Sequence, residues 1–109
     1  MPSPVLLTQD AEEDFQELYT YIARHDSPDK ADYVLEQIEK KFTALGEQPE
    51  RGGCPKELQS LGICDYREIF FKPYRIIYRV YDNRVYVYLL VDGRRDMQTF
   101  LQRRLLGMR

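Results

Sequence analysis

The chain has 109 residues, a hydrophobic fraction of 43% with 13% aromatics, and a formal net charge of −2. That length carries a single domain, 1–109, with one modest core, and that composition excludes wholesale disorder. No run approaches the roughly 18 apolar residues of a membrane span, and Met1-Pro2-Ser3-Pro4-Val5 lacks the basic-then-apolar order of a leader, so a cytoplasmic protein that engages no membrane is expected.

Val5-Leu6-Leu7 is a short apolar run that predicts a first strand, and Thr8 can cap the helix that follows it. From Gln9 to about Ala23, the positions Ala11, Phe15, Leu18, Tyr19 and Ile22 recur at three- and four-residue steps and form one stripe. The opposite face holds Glu12, Glu13, Asp14 and Glu17, acids that suit the positive start of a helix. Arg24-His25-Asp26 interrupts this pattern. Ser27-Pro28 restarts it as a cap followed by a first-turn proline, and Ala31, Val34, Leu35, Ile38, Phe42 and Leu45 make a second stripe that Gly46 is expected to end. Two amphipathic helices so closely joined lie antiparallel with their stripes toward a common surface.

A loop from Glu47 to about Asp65 follows, and the period then falls to two. Tyr66 to Lys72, Tyr74 to Tyr81 and Val85 to Val91 predict a three-stranded antiparallel meander with turns at Lys72-Pro73 and Asp82-Asn83. Val85, Val87, Leu89 and Val91 are expected to pack under the helices, and Asp96 to cap a last helix from Met97 to about Leu106. The order β-α-α-β-β-β-α defines an α+β domain with its helical hairpin packed on a mostly antiparallel twisted sheet.

The small net charge hides two opposed halves. Through Asp65 there are 6 Lys/Arg against 14 Asp/Glu, which is −8, and from Tyr66 onward there are 10 against 4, which is +6. The basic half suits either an anionic partner or the acidic half of its own fold. Cys54 and Cys64 have neither CxxC spacing nor a nearby histidine, so they read as free thiols, and neither a metal nor a cofactor is expected. Arg75 and Arg79 alternate with apolar residues, which also fits arginines that only solvate the open face of a sheet. Tyr66, Tyr74, Tyr78, Tyr81, Tyr86 and Tyr88 fit either a base-stacking platform or core and rim positions.

Three motifs in order carry a resemblance over nearly the whole chain. They are Leu45-Gly46-Glu47-Gln48-Pro49-Glu50-Arg51-Gly52, Tyr74-Arg75-Ile76-Ile77-Tyr78-Arg79-Val80 and Asp92-Gly93-Arg94-Arg95-Asp96. In these the chain resembles the ParE/RelE superfamily of small bacterial toxins, its ParE-like branch above all. The resemblance implies a RelE-like fold and the toxin of a type II toxin–antitoxin pair, one that arrests growth by inhibiting DNA gyrase and is neutralised by a cognate antitoxin. It also leaves open a ribosome-dependent messenger endoribonuclease, or a weakly toxic antitoxin-binding regulator. On the nuclease pattern Arg75 and Arg95 match strand-borne arginines and Arg67 the first of two lysines, but Ile69 replaces the second, and Phe100 and Leu101 stand where a helix tyrosine is expected. RNA cleavage needs groups that take and give protons, and guanidinium does neither well. The expectation therefore leans away from an enzyme. Arg75, Arg94 and Arg95 are the toxic-face candidates, expected to be exposed and to matter little for stability. Arg67, Arg75 and Arg95 form the alternative nuclease site, with His25 expected far from it. Leu18, Tyr21 and Tyr33 are the antitoxin-binding candidates.

Overall fold

Two apolar stripes at helical spacing have to be buried on something, and here they close over one face of a sheet. The computed structural model describes residues 3–107; Met1 and Pro2, which open the segment read above for a leader pattern, lie outside the described residues, as do Met108 and Arg109. Strand β1 (Val5–Leu7) leads into α1 (Gln9–His25) and α2 (Pro28–Glu47), a short α3 (Lys56–Gln59) follows, and β2 (Arg67–Phe71), β3 (Tyr74–Tyr81) and β4 (Arg84–Asp92) precede α4 (Met97–Leu106). The sheet order is β1-β4-β3-β2, with β1 parallel to β4 and the other pairs antiparallel. The architecture is α+β, with the expected order of the main elements.

Local chemistry sets the ends of the hairpin. Thr8 Oγ1 accepts from the Ala11 amide at 3.2 Å and Ser27 Oγ accepts from the Lys30 amide at 3.0 Å, each supplying one of the acceptors that a helix start lacks. Helix α1 runs on through Arg24 and His25, past its expected end, and breaks only at Asp26-Ser27. Gly46 does not end α2. It is buried inside the last turn, where a Cβ would meet the Ser3 carbonyl oxygen at 2.9 Å, and its own carbonyl accepts from the Ser3 amide at 2.7 Å. The glycine thus lets the lead-in to β1 pass close against the helix.

The last strand departs from its expected pattern. Ile77 pairs with Leu89 but Tyr78 pairs with Val87, so Tyr88 is an extra residue in β4, a bulge that turns the residues after it to the other face. Val85, Val87 and Leu90 therefore face the helical hairpin, with Ile22, Val34, Ile38 and Leu45, while Leu89 and Val91 face the reverse side. The expectation that Leu89 and Val91 lie under the hairpin is corrected. On the reverse side they join Ile77, Leu58 of α3, and Met97 and Leu101 of α4 in a second core. A strict two-residue alternation cannot register one inserted residue, which is why this core was not legible before folding.

The loop after α2 is also more structured than expected. It contains α3, and Cys54 and Cys64, read above as free thiols, are joined by a disulfide with their Cα atoms 5.4 Å apart. Their spacing in sequence does not show that Gly53 pairs with Glu68 as an isolated bridge and draws the loop's start back onto β2.

Tyr78 fastens this loop to the sheet from within. Fully buried, its hydroxyl donates to the Pro49 carbonyl at 2.8 Å and accepts from the Gly52 amide at 2.9 Å. Tyr78→Phe keeps the ring but leaves two main-chain groups without their partner, and it should cost about 1–3 kcal/mol. Urea denaturation would measure this, and a midpoint unchanged from the parent would show that water replaces the hydroxyl.

Candidate functional site

The three arginines expected to form one cationic face have different surroundings. Arg75 is only 7% exposed. Its guanidinium makes a bidentate pair with Glu57 of α3, at 2.8 Å for both bonds, and its Nε donates to Glu68 of β2 at 2.9 Å. The bond to Glu57 chiefly, and Glu68 after it, hold the Arg75 pKa above its already high ordinary value, and the same bond holds Glu57 below the usual carboxylate range. Gly93 makes room, since a Cβ there would lie 2.8 Å from Arg75 Cδ. The expectation that Arg75 is exposed and free for a partner is therefore corrected, because two carboxylates already occupy its donors.

Arg67 belongs to the other side of the sheet. It is opposite Tyr78 in register, and its Nη1 donates to the carbonyls of Glu50 and Gly52 at 3.0 and 2.8 Å. Arg67, Arg75 and Arg95 consequently do not converge. Sequence position could not separate Arg67 from Arg75, because their faces depend on strand register.

Arg94 and Arg95 do meet the hairpin. Strand β1 pairs with β4 only from Val85 to Val87, so the outer edge of β4 beyond that is left to side chains. Asp14 of α1 takes this role. It accepts from the Leu90 amide at 3.1 Å and receives both ends of the Arg104 guanidinium at 2.8 and 3.0 Å, tying α1, β4 and α4 together. Beside this tie a cleft of about 570 Å3, room for several side chains of a partner, runs between α1 and the start of α4. Leu18, Tyr21 and Tyr74 line it on one side, and Arg94, Arg95 and Phe100 on the other.

The two cleft arginines differ in charge compensation. Arg94 is held by Asp92, with its Nη2 at 2.6 Å, and that bond keeps the Asp92 pKa low. Arg95 forms no ion pair among the described residues; its guanidinium lies 4.6 Å from the Phe100 ring centroid, while Arg104 lies 5.2 Å from the same ring. Phe100 thus positions a cation instead of exchanging a proton. His25 is not among the residues that line the cleft. It stacks on Tyr21 with centroids 4.2 Å apart and its Nδ1 donates to the Tyr21 carbonyl at 2.9 Å, which places it one ring behind the cleft wall. The longer α1 accounts for this, since its two added residues, Arg24 and His25, carry the imidazole alongside Tyr21.

The other candidates lie elsewhere. Tyr33 is on α2, 52% exposed, with Lys30 Nζ 5.6 Å from its ring. The six strand tyrosines divide between faces: Tyr74 and Tyr78 pack toward the hairpin, whereas Tyr66 and Tyr88 meet edge to face at 5.5 Å on the reverse side. Of the two readings open to these tyrosines, core and rim positions are the one the fold supports. Among the described residues, no three His, Cys, Asp or Glu side chains group as a metal site. Sequence reasoning missed Asp14, Glu57, Glu68 and Arg104: it places Asp14 on the polar face of its helix and does not single out the other three. Only Asp14 carried a signal, at the margin of its helix's apolar stripe, three residues after Ala11 and four before Leu18.

These surroundings predict different outcomes on truncation. Arg75→Ala strands two nearly buried carboxylates and should cost about 3–5 kcal/mol. Arg94→Ala and Arg95→Ala should leave the unfolding midpoint close to that of the parent. Denaturation of the three variants side by side checks this, and equal midpoints for all three would mean that water reaches Glu57 and Glu68.

Comparison with known proteins places this geometry. Residues 5–97 match the family described as the ParE toxin of the type II toxin–antitoxin system parDE. A search of curated proteins found no match. Among solved structures, the chain is similar in fold to the chromosomal ParDE system of P. aeruginosa, at TM-score 0.69 and 15% identity over 83% of this chain and 95% of that one. It is also similar to the RelBE2 toxin–antitoxin complex of Mycobacterium tuberculosis, at 0.57 and 24% over 84% and 92%. A third similarity is to a mutant of the E. coli toxin RelE in the free state, at 0.60 and 19% over 92% and 93%. With 93 of its 109 residues inside one family pattern and the matching α+β fold, the chain belongs to the ParE toxin family of type II toxin–antitoxin systems.

Proposed function

We propose that this toxin acts in the cytoplasm by binding and inhibiting DNA gyrase, without chemistry of its own, and that a cognate antitoxin neutralises it. The observation that carries this reading is the dispersal of the nuclease set. Cleavage through a 2′-hydroxyl needs a base, an acid and cations around one phosphate. Arg75 is instead sealed by Glu57 and Glu68, Arg67 serves main-chain carbonyls across the sheet, and Phe100 and Leu101 carry no exchangeable proton. What remains accessible is a binding surface: the Arg94–Arg95 corner and the aromatic wall of the cleft. One observation favours the second reading, a ribosome-dependent endoribonuclease: His25, the one histidine in the sequence, stacks on Tyr21 of the cleft wall.

Gyrase and translating ribosomes therefore serve as paired tests. Purified toxin should block supercoiling and trap cleaved DNA on gyrase while message in the ribosomal A site stays intact. Arg94→Ala with Arg95→Ala should relieve both the growth arrest and the block by at least about tenfold, the loss of roughly 1.4 kcal/mol of binding. Cutting of message that His25→Ala abolishes would install the nuclease instead, and inactivity in both assays beside tight antitoxin binding would leave the regulator.

The cleft also suits the antitoxin. Its apolar and aromatic wall fits an extended, partly helical segment that folds on binding, and the likeness to the RelBE2 toxin–antitoxin complex supports such a partner. Tyr33 lies outside the cleft, so a segment reaching it has to wrap the hairpin. Hydrogen exchange in the antitoxin complex should show protection at Leu18, Tyr21, Tyr33 and Arg94–Arg95 together. Protection confined to Arg94–Arg95 would reject wrapping.

A further inference from the structure

We infer that the Cys54–Cys64 disulfide is a thiol–disulfide exchange site whose state controls how α3 and the start of α4 dock on the reverse face of the sheet. The two cysteines are ten positions apart and bracket the whole of α3. That helix has four residues and no side-chain N-cap, too little to hold itself together. Its order comes from three contacts and from the cross-link. Leu58 is fully buried in the second core with Ile77, Leu89, Met97 and Leu101; Glu57 takes both ends of the Arg75 guanidinium; and Gln98 Nε2 donates to the Glu57 carbonyl at 3.2 Å. Each of these reaches a strand or helix of the basic half.

Tying the loop's ends limits the conformations open to α3 when it is undocked, so breaking the tie shifts it toward the undocked state. Cys64 is exposed and Cys54 partly covered, which makes the Cys64 sulfur the accessible target. A dithiol reductant would attack it with one thiolate: the Cys54–Cys64 bond breaks, a mixed disulfide forms on Cys64, and Cys54 leaves as a thiolate and takes up a proton. The reductant's second thiolate then displaces Cys64, which is protonated in turn. Two electrons and two protons pass to the protein and the reductant becomes a disulfide; exchange with a disulfide reagent reverses the sequence. Disulfides of cytosolic proteins are mostly transient, catalytic or redox-sensing, and this part of the reasoning rests on the cytoplasmic reading above. The mechanical coupling does not. In the oxidised chain Glu57 seals Arg75 and Leu58 plugs the second core; in the reduced chain both loosen together, and with them Met97 and Gln98 at the start of α4.

The test needs only the full chain, without gyrase or antitoxin, so its result is independent of the target. Alkylation with iodoacetamide followed by mass measurement should label no cysteine in the air-oxidised protein and two after dithiothreitol. Hydrogen exchange should then quicken by about tenfold or more at residues 56–59 and 97–101 on reduction, with α1 and α2 unchanged, the signature of a local opening. Cys54→Ser with Cys64→Ser should show the faster exchange with or without dithiothreitol. Two labelled thiols in the oxidised protein, unchanged exchange on reduction, or an increase spread evenly over the chain would each overturn the inference, the last by making the disulfide a global staple.

Discussion

Tyr88 is one residue more than strand β3 can match, and this insertion divides β4 between two cores. Before it, Val85 and Val87 point at the helical hairpin; after it, Leu89 and Val91 point away, while Leu90 returns to the hairpin. The reverse face thereby acquires an apolar patch that must be covered, and α3 and α4 cover it. Without that patch neither short helix has a surface to bury against, and Glu57 has no reason to lie over Arg75. The bulge therefore sets which residues of β4 after Val87 face the hairpin and which face the reverse side.

The opposed charges of the two halves are used inside the fold, and selectively. Glu57 and Asp14 come from the acidic half and hold Arg75 and Arg104 of the basic half. Both contacts are bidentate and poorly solvated, the setting in which an ion pair fixes geometry and in which removing one partner is expensive. Arg94 is compensated differently, by Asp92 two residues earlier, and it stays 77% exposed. Arg95 is held through an aromatic ring. The result is a basic half whose inner cations are committed to structure and whose corner after β4 is not.

Fold and activity separate along the same line. The ParE family assignment rests on a pattern spread over residues 5–97, much of it the hairpin stripes and strand alternation that build the core. A gyrase-directed and an RNA-cutting protein can share that scaffold, because a scaffold of this kind fixes where strand ends lie and not which side chains they carry. Here the strand ends present arginines with carboxylate or aromatic partners, and the cleft beside them is walled by Leu18, Tyr21 and Tyr74. Those are features of recognition surfaces, where rigid aromatic side chains and arginine carry most of the binding.

The sequence by itself determined the hairpin, the meander, their order and the Arg94–Arg95 corner, because helical and strand periodicity, caps at Thr8 and Ser27 and the Asp82-Asn83 turn are local properties. It also singled out Leu18, within the stripe, and Tyr21, off it, both of which the fold sets on the cleft wall. Tertiary structure alone decided the rest. Arg67 and Arg75 look alike in an alternating strand, yet register sends them to opposite faces. The bulge at Tyr88, the seal on Arg75 by Glu57 and Glu68, the anchor from Asp14 to Arg104 and the joining of Cys54 to Cys64 all depend on residues brought together across the fold. The last of these spans ten positions and the anchor ninety. No periodicity encodes such a meeting, because its free energy comes from desolvating particular partners against each other, and that is fixed only once the chain has closed.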